Sequence, residues 1–141
     1  MRRHLYLFFA MLLLVAAPAA VEASVVAKID LSSQRMNVYV NGRNAYSWPV
    51  STARRGYRTP IGTFRPGTMK TMHYSSKYHN SPMPHSIFFL GGYAIHGTNQ
   101  IKSLGRPASH GCVRLHPSNA RTLYNLVRKH GRGKTKIVVQ R

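Results

Sequence analysis

The sequence predicts a mainly β domain, a sandwich or barrel of short strands carrying one main helix. Three observations lead there. Short apolar stretches recur between turn signals along most of the chain, several with the two-residue period of half-buried strands. One stretch alone, 117–130, carries a clear helical period. A chain of 141 residues has room for one core and not for a second.

Val25 to Leu31, rich in branched apolar residues, reads as the first strand, with Ser32-Ser33-Gln34 as its turn. Met36, Val38 and Val40 alternate with Asn37 and Tyr39, the pattern of a strand with one face in the core. Asn41-Gly42 is the preferred pair for a type I′ hairpin, so Tyr46, Trp48 and Val50 should return antiparallel and place Trp48 inside. Residues 51 to 60 have no apolar period and read as a loop, followed by a short strand over Ile61 to Phe64. The stretch from about 70 to 85 is polar and aromatic, broken by Pro82 and Pro84, and reads as a long loop. Ile87 to Leu90 is a buried strand, Gly91-Gly92 a tight turn, and Tyr93 to Ile95 a strand that ends at His96. Asn99 to Ser109 crosses the surface, with Gly105 and Pro107 as breakers. In the helix Ala120, Leu123, Leu126 and Val127 share a face, Pro117 or Ser118 suits the first turn, Arg128, Lys129 and His130 the last, and Gly131 the stop. Lys136 to Gln140 closes the sheet, and no repeat, linker or second module is visible.

The first residues belong to a different class of segment. Arg2, Arg3 and His4 precede an apolar run from Leu5 to Ala17, and small-residue sites follow at Ala17-Pro18-Ala19 and Val21-Glu22-Ala23. The run is short of the ~20 residues a bilayer span needs, so residues 1–23 read as a cleaved export signal and 24–141 as the working domain, with no transmembrane segment after cleavage. The whole chain carries 21 Lys and Arg against 2 Asp and Glu, for a net charge of +19. Cleavage after Ala23 removes Arg2, Arg3 and Glu22, so Asp30 becomes the one acidic side chain left.

That scarcity excludes chemistry. A glycosidase needs two carboxylates about its bond, and a zincin needs a glutamate between its histidines. The positive field points instead to anionic partners of the exported compartment, such as acidic lipids, anionic wall polymers or peptidoglycan stems with free carboxylates, and not to nucleic acid.

The chemistry concentrates at Ser109-His110-Gly111-Cys112-Val113-Arg114, which holds the single cysteine of the chain; His96 lies sixteen positions upstream in Ile95-His96-Gly97-Thr98. One cysteine in an exported chain forms no internal disulfide, and its histidine and glycine neighbours suit a reactive thiol better than a core residue. A thiol, an imidazole and backbone amides freed by a glycine are the components of cysteine acyl transfer.

Ile-His-Gly-Thr followed by Ser-His-Gly-Cys-Val-Arg resembles the L,D-transpeptidase catalytic (YkuD) domain of bacterial peptidoglycan enzymes. Thr59-Pro60-Ile61-Gly62-Thr63-Phe64 resembles the Thr-Pro-x-Gly-x-Phe element of that family, and residues 29–40 its first hairpin, so the likeness covers roughly 25 to 140. The resemblance implies a YkuD-like fold with the 70–85 segment as a lid over the substrate groove. It implies Cys112 as nucleophile, His96 as base and the Gly97 carbonyl as the group that orients His96. His110 cannot be set aside as base from the sequence, since on an extended segment it would point with Cys112; the resemblance makes the choice. The amides of His110, Gly111 and Cys112 are the candidate oxyanion hole. Arg114, on the Cys112 side of the strand, is a candidate for a substrate carboxylate, and Ser109, Tyr93 and His85 complete the expected substrate contacts.

The implied reaction is attack on a peptidoglycan tetrapeptide stem with loss of D-alanine. The thioester then passes to an amine, on another stem, an envelope protein or a free D-amino acid. No metal and no cofactor is expected, and carbapenems are expected inhibitors. Two other classes remain: a non-catalytic cationic module that binds peptidoglycan, and a zinc amidase or peptidase using His96, His110, Cys112 and His116. No pair among these donors has the spacing of a familiar zinc site, nor do His73, His79 and His85, which recur every six residues.

Overall fold

A computed structural model describes residues 12–17 and 22–141. The expected export signal, residues 1–23, therefore lies largely outside the described residues. Among those described, no helix is long and apolar enough to cross a membrane.

Among the described residues nine strands form two sheets. β1 (Val25–Asp30), β2 (Arg35–Val40), β3 (Arg43–Pro49), β4 (Gly62–Phe64) and β9 (Thr135–Gln140) make a five-stranded sheet in the order β3-β2-β1-β9-β4. β5 (Met69–Tyr74), β6 (Pro82–Leu90), β7 (Tyr93–Gly97) and β8 (Val113–Leu115) make a four-stranded sheet in that order. Asn41 and Gly42 take φ of 50° and 82° between the paired residues Val40 and Arg43, the left-handed geometry a type I′ turn requires. Trp48 is buried and stacks on Tyr46 with 4.9 Å between centroids.

Alternating residues from both sheets fill one core. Val25, Ala27, Ile29, Met36 and Val38 come from the first sheet, and Ile87, Ile95, Val113 and Leu115 from the second. Burying a Val, Ile or Leu of this kind contributes about 1.5–3 kcal/mol each. Helix α1 (Pro117–His130) packs on β6 and β7 through Ala120, Leu123, Tyr124 and Val127. Leu126, grouped with that face in the sequence, is only half-buried, and Tyr124 takes the inner position. His116 caps the first turn, its Nδ1 accepting from the Ser118 N–H at 3.2 Å. Gly131 stops the helix at φ 98° with its N–H on Val127 O.

The segment 70–85 differs internally from a loop: β5, a tip at residues 75–81 and the start of β6 make a hairpin. The prolines misled because β7 covers β6 only from Ile87 onward, leaving Pro82 and Pro84 on a stretch with one open edge, where a missing N–H costs no ladder bond.

Candidate active site

The four-stranded sheet has a core face and a cleft face, and the register of β7 and β8 decides what lines each. The two strands run parallel with Ile95 opposite Val113 and His96 opposite Arg114. Ile95, Val113 and Leu115 enter the core, so His96 and Arg114 project to the other side, and Cys112, two residues before Arg114, joins them. All three line one cleft of about 530 Å³, walled on its far side by the hairpin tip through Ser75, Lys77 and Tyr78.

His96 is 6% exposed, and its Nδ1 lies 2.6 Å from the Gly97 carbonyl oxygen, which fixes the proton on Nδ1 and leaves Nε2 as the free acceptor. Burial, with smaller contributions from Arg114 and His73, lowers its pKa to about 4 against the opposing effect of the Gly97 bond. Cys112 is half-buried with Sγ 3.8 Å from the Gly92 carbonyl. Burial pushes its pKa up, while the Ala94 N–H and Arg114 favour the thiolate. At neutral pH the two groups therefore rest as thiol and neutral imidazole rather than as a standing ion pair.

A belt of hydrogen bonds holds the segment before Cys112. Thr52 O accepts from the Ala108 and Ser109 amides at 3.0 and 2.9 Å, and Thr52 is itself gripped by the buried Gln34 through Nε2 and Oε1 at 2.6 and 2.9 Å. Thr59 Oγ1 donates to Gly111 O at 2.8 Å and accepts from the Ala53 N–H at 3.0 Å. Ser51 and Arg114 exchange two backbone bonds. The loop 51–60 is thus the buttress of the site, a role its lack of periodicity hid; Thr59 was visible only as the head of its motif.

Ser109, an expected substrate contact, borders the cleft but is fully buried. Its Oγ accepts from the Gly111 N–H at 3.0 Å and donates to Cys112 O at 2.7 Å, so its hydroxyl is engaged in tying the turn. The same bond corrects the oxyanion reading: the Gly111 amide is occupied, whereas those of His110 and Cys112 meet no acceptor among the described residues. Gly111 has φ of 140°, and a Cβ there would come within 2.6 Å of Tyr93 Cε1 and 2.9 Å of Arg58 O. Tyr93 lines the cleft by packing its ring on that bare backbone. Gly97 is confined less severely: its Cβ would sit 3.0 Å from Pro84 Cγ and 3.1 Å from Pro117 Cα.

His85 is not in the cleft. Its ring packs edge-on against Tyr124 of α1, 5.3 Å between centroids. The residue has φ of 51°, and there β6 changes phase: Met83 faces the cleft before it and Phe88 after it, while His85 is thrown to the helix side. His110 is half-exposed, with its ring stacked on Tyr78 at 4.0 Å and 6°, edge-on to Tyr57 at 4.7 Å, and its Nε2 3.2 Å from Arg54 Nη2. Arg114 spends Nη1 on Gln100 Oε1 at 3.2 Å and Ala108 O at 3.5 Å, leaving the rest of its guanidinium to the cleft. The donors of the zinc alternative are not assembled: His116 Nδ1 is the helix cap, and no group of three His, Cys, Asp or Glu among the described residues is placed to hold a metal ion. His73 and Gln100 also line the cleft, brought there by strand pairing and by the short turn after β7, and nothing in their sequence surroundings signalled it.

The sequence profile of the family described as YkuD, L,D-transpeptidase catalytic domain, matches residues 24–139. A Bacillus subtilis (strain 168) protein, named as a candidate L,D-transpeptidase, YkuD, is 24% identical over 103 residues, 70% of this chain and 58% of that protein. Among solved structures, an L,D-transpeptidase from Mycobacterium smegmatis aligns with a TM-score of 0.75 at 23% identity, over 84% of this chain and 59% of that one. L,D-transpeptidase 3 from Mycobacterium tuberculosis, solved with a faropenem-derived adduct, aligns with a TM-score of 0.70 at 19% identity, over 84% and 61%. The chain thus spans about three fifths of the length of these proteins.

Proposed function

Since the chain belongs to the L,D-transpeptidase catalytic domain (YkuD) family, we propose that it is an exported cysteine acyltransferase of peptidoglycan stem peptides, released to the cell envelope by removal of residues 1–23. The observation that carries the reading is the meeting of Cys112 and His96 in one cleft with His96 Nδ1 committed to Gly97 O. That bond orients Nε2 as a base without a carboxylate, in a chain that has almost none.

Neutral His96 takes the thiol proton as Cys112 attacks the carbonyl of the bond between the third, diamino acid residue of a tetrapeptide stem and its terminal D-alanine. The amides of His110 and Cys112 are the donors for the developing oxyanion, and Arg114 favours the thiolate and receives the carboxylate of the leaving D-alanine. His96 returns the proton to the leaving amine, and the thioester passes to an acceptor amine. That amine belongs to another stem, giving a 3→3 cross-link, to an envelope protein or to a free D-amino acid.

The test is to incubate the mature protein with purified muropeptides and follow the products by mass. Cross-linked dimers, D-alanine loss and D-amino-acid exchange each have their own mass change, and all should vanish in Cys112→Ala. The same products from Cys112→Ala would overturn the mechanism.

A further inference from the structure

We infer that the tip of the β5–β6 hairpin reads a second carboxylate on the acyl donor through Lys77, so that the cleft prefers stems with free side carboxylates over the same stems carrying carboxamides. The inference rests on the acyl-transfer reading and adds the class of donor.

The cleft is lined by Lys77, Arg114, His73, His79, His96 and His110, and no Asp or Glu joins them. Asp30, the one acidic side chain that remains once residues 1–23 are removed, is occupied in its own turn, accepting from Ser32 and Ser33. The two permanent charges stand on different walls. Arg114 lies on the Cys112 side, close enough that the two influence each other's ionisation, and suits the carboxylate next to the reacting carbonyl. Lys77 sits on the hairpin tip, its Nζ 5.5 Å from the Tyr78 ring centroid, and Tyr78 stacks on His110, two residues from the nucleophile. A donor threaded between the walls therefore meets one cation at its leaving end and another farther along.

The turn that carries Lys77 is itself held by hydrogen bonds. Ser75 N–H donates to Ser81 O at 3.0 Å and Ser81 N–H to Tyr78 O at 3.1 Å, Ser75 Oγ accepts from the Tyr78 N–H at 3.0 Å, and Ser81 Oγ donates to Tyr78 O at 2.8 Å. His79 and Asn80 at φ of 54° and 51° close the turn. Less freedom is lost on binding from a tip already fixed in this way. A carboxylate and its carboxamide have nearly the same shape but differ in charge and in hydrogen-bond pattern, and an ammonium, which only donates, favours the carboxylate on both counts.

The test measures binding to the Cys112→Ala protein, which removes turnover from the readout. The probes are a disaccharide tetrapeptide with free side carboxylates and the same molecule amidated at those carboxylates, titrated calorimetrically at 0.05 M and 0.5 M salt. The free form should bind about five- to tenfold more tightly at low salt, in keeping with an exposed charge pair partly desolvated by the ligand, and the preference should shrink at high salt. Lys77→Gln in the same background should bring the ratio close to one, and Lys77→Arg should restore most of it. Equal affinities for the two probes, or a preference that survives Lys77→Gln, would overturn the inference. Failure of wild-type protein to transfer acyl groups from either probe, with the binding preference intact, would count against the acyl-transfer reading instead.

Discussion

The buried His96 makes the stability of the protein depend on acid in a calculable way. Its ordinary pKa of 6.5 applies to the unfolded chain, and burial lowers it to about 4 in the folded one. Above 6.5 the imidazole is neutral in both states, and the folded state has its full stability. As pH falls through 6.5 toward 4, only the unfolded chain takes up the proton, so stability is lost across that window; below 4 both states carry it and the loss stops. At about 1.4 kcal/mol for each tenfold difference, the gap amounts to about 3 kcal/mol, of which about 2.5 kcal/mol is gone by pH 4.5. Small domains have about 5–15 kcal/mol in all, so the effect is large. Urea unfolding of wild type and of His96→Gln between pH 7.5 and 4.5 measures it. The variant should lose about 2.5 kcal/mol less than wild type over that range. His85 and His110 are also shifted down, by burial and by neighbouring arginines, and act in the same direction, so the difference between the two proteins isolates His96. Parallel losses in both, agreeing within about 0.5 kcal/mol, would refute the assignment of a buried neutral imidazole. The same property keeps the proposed base unprotonated, so kcat/KM should hold its level down to pH 5 in protein that is still folded.

Cys112→Ala should abolish turnover while leaving the unfolding midpoint nearly unchanged, since it removes one sulfur from a half-buried site. His96→Ala should be inactive, and His110→Ala should fall less far because its amide remains; normal acyl-enzyme formation in His96→Ala would move the base to His110. Gly111→Ala should cost roughly 2 to 4 kcal/mol, from the left-handed φ and the overlap with Tyr93 and Arg58, read by thermal or urea melts. Ser109→Ala should cost about 1 to 3 kcal/mol, because the buried Gly111 amide loses its acceptor, and should lower turnover along with stability. Excess carbapenem should add one molecule per chain by intact mass, more readily than a penicillin, with no adduct on Cys112→Ala and no effect of chelator; an unmodified, folded, reduced wild type would count against the geometry of thiol and oxyanion donors.

Where local chemistry dictates conformation, the sequence was easily read. Asn41-Gly42 demanded its turn, and the helix ran from Pro117 to Gly131 because capping, periodicity and stop agree. Cys112 and His96 stood out by residue type. What escaped depended on partners distant in the chain. Pro82 and Pro84 argue for a loop until β7 is seen to stop short of them. A serine two residues before a glycine says nothing of whether its hydroxyl faces a ligand or the chain, and Ser109 faces the chain. His85, expected on a loop beside the groove, lies instead on β6, and its own left-handed φ turns the ring to the helix.

The pairing of β9 has a consequence for how this domain reaches its folded form. β9 lies between β1 and β4, parallel to the first and antiparallel to the second, so residues 135–140 join a strand more than a hundred positions earlier to one about seventy earlier. Closing such loops is slow and is rewarded only at the end. Until that segment is available, β1 carries an open edge on its β9 side and β4 has no strand to pair with, whereas the β5–β6–β7 meander is complete without it. A chain that emerges N-terminus first would therefore hold its four-stranded sheet partly assembled against an unfinished core, and remain open to threading or to proteases until β9 arrives.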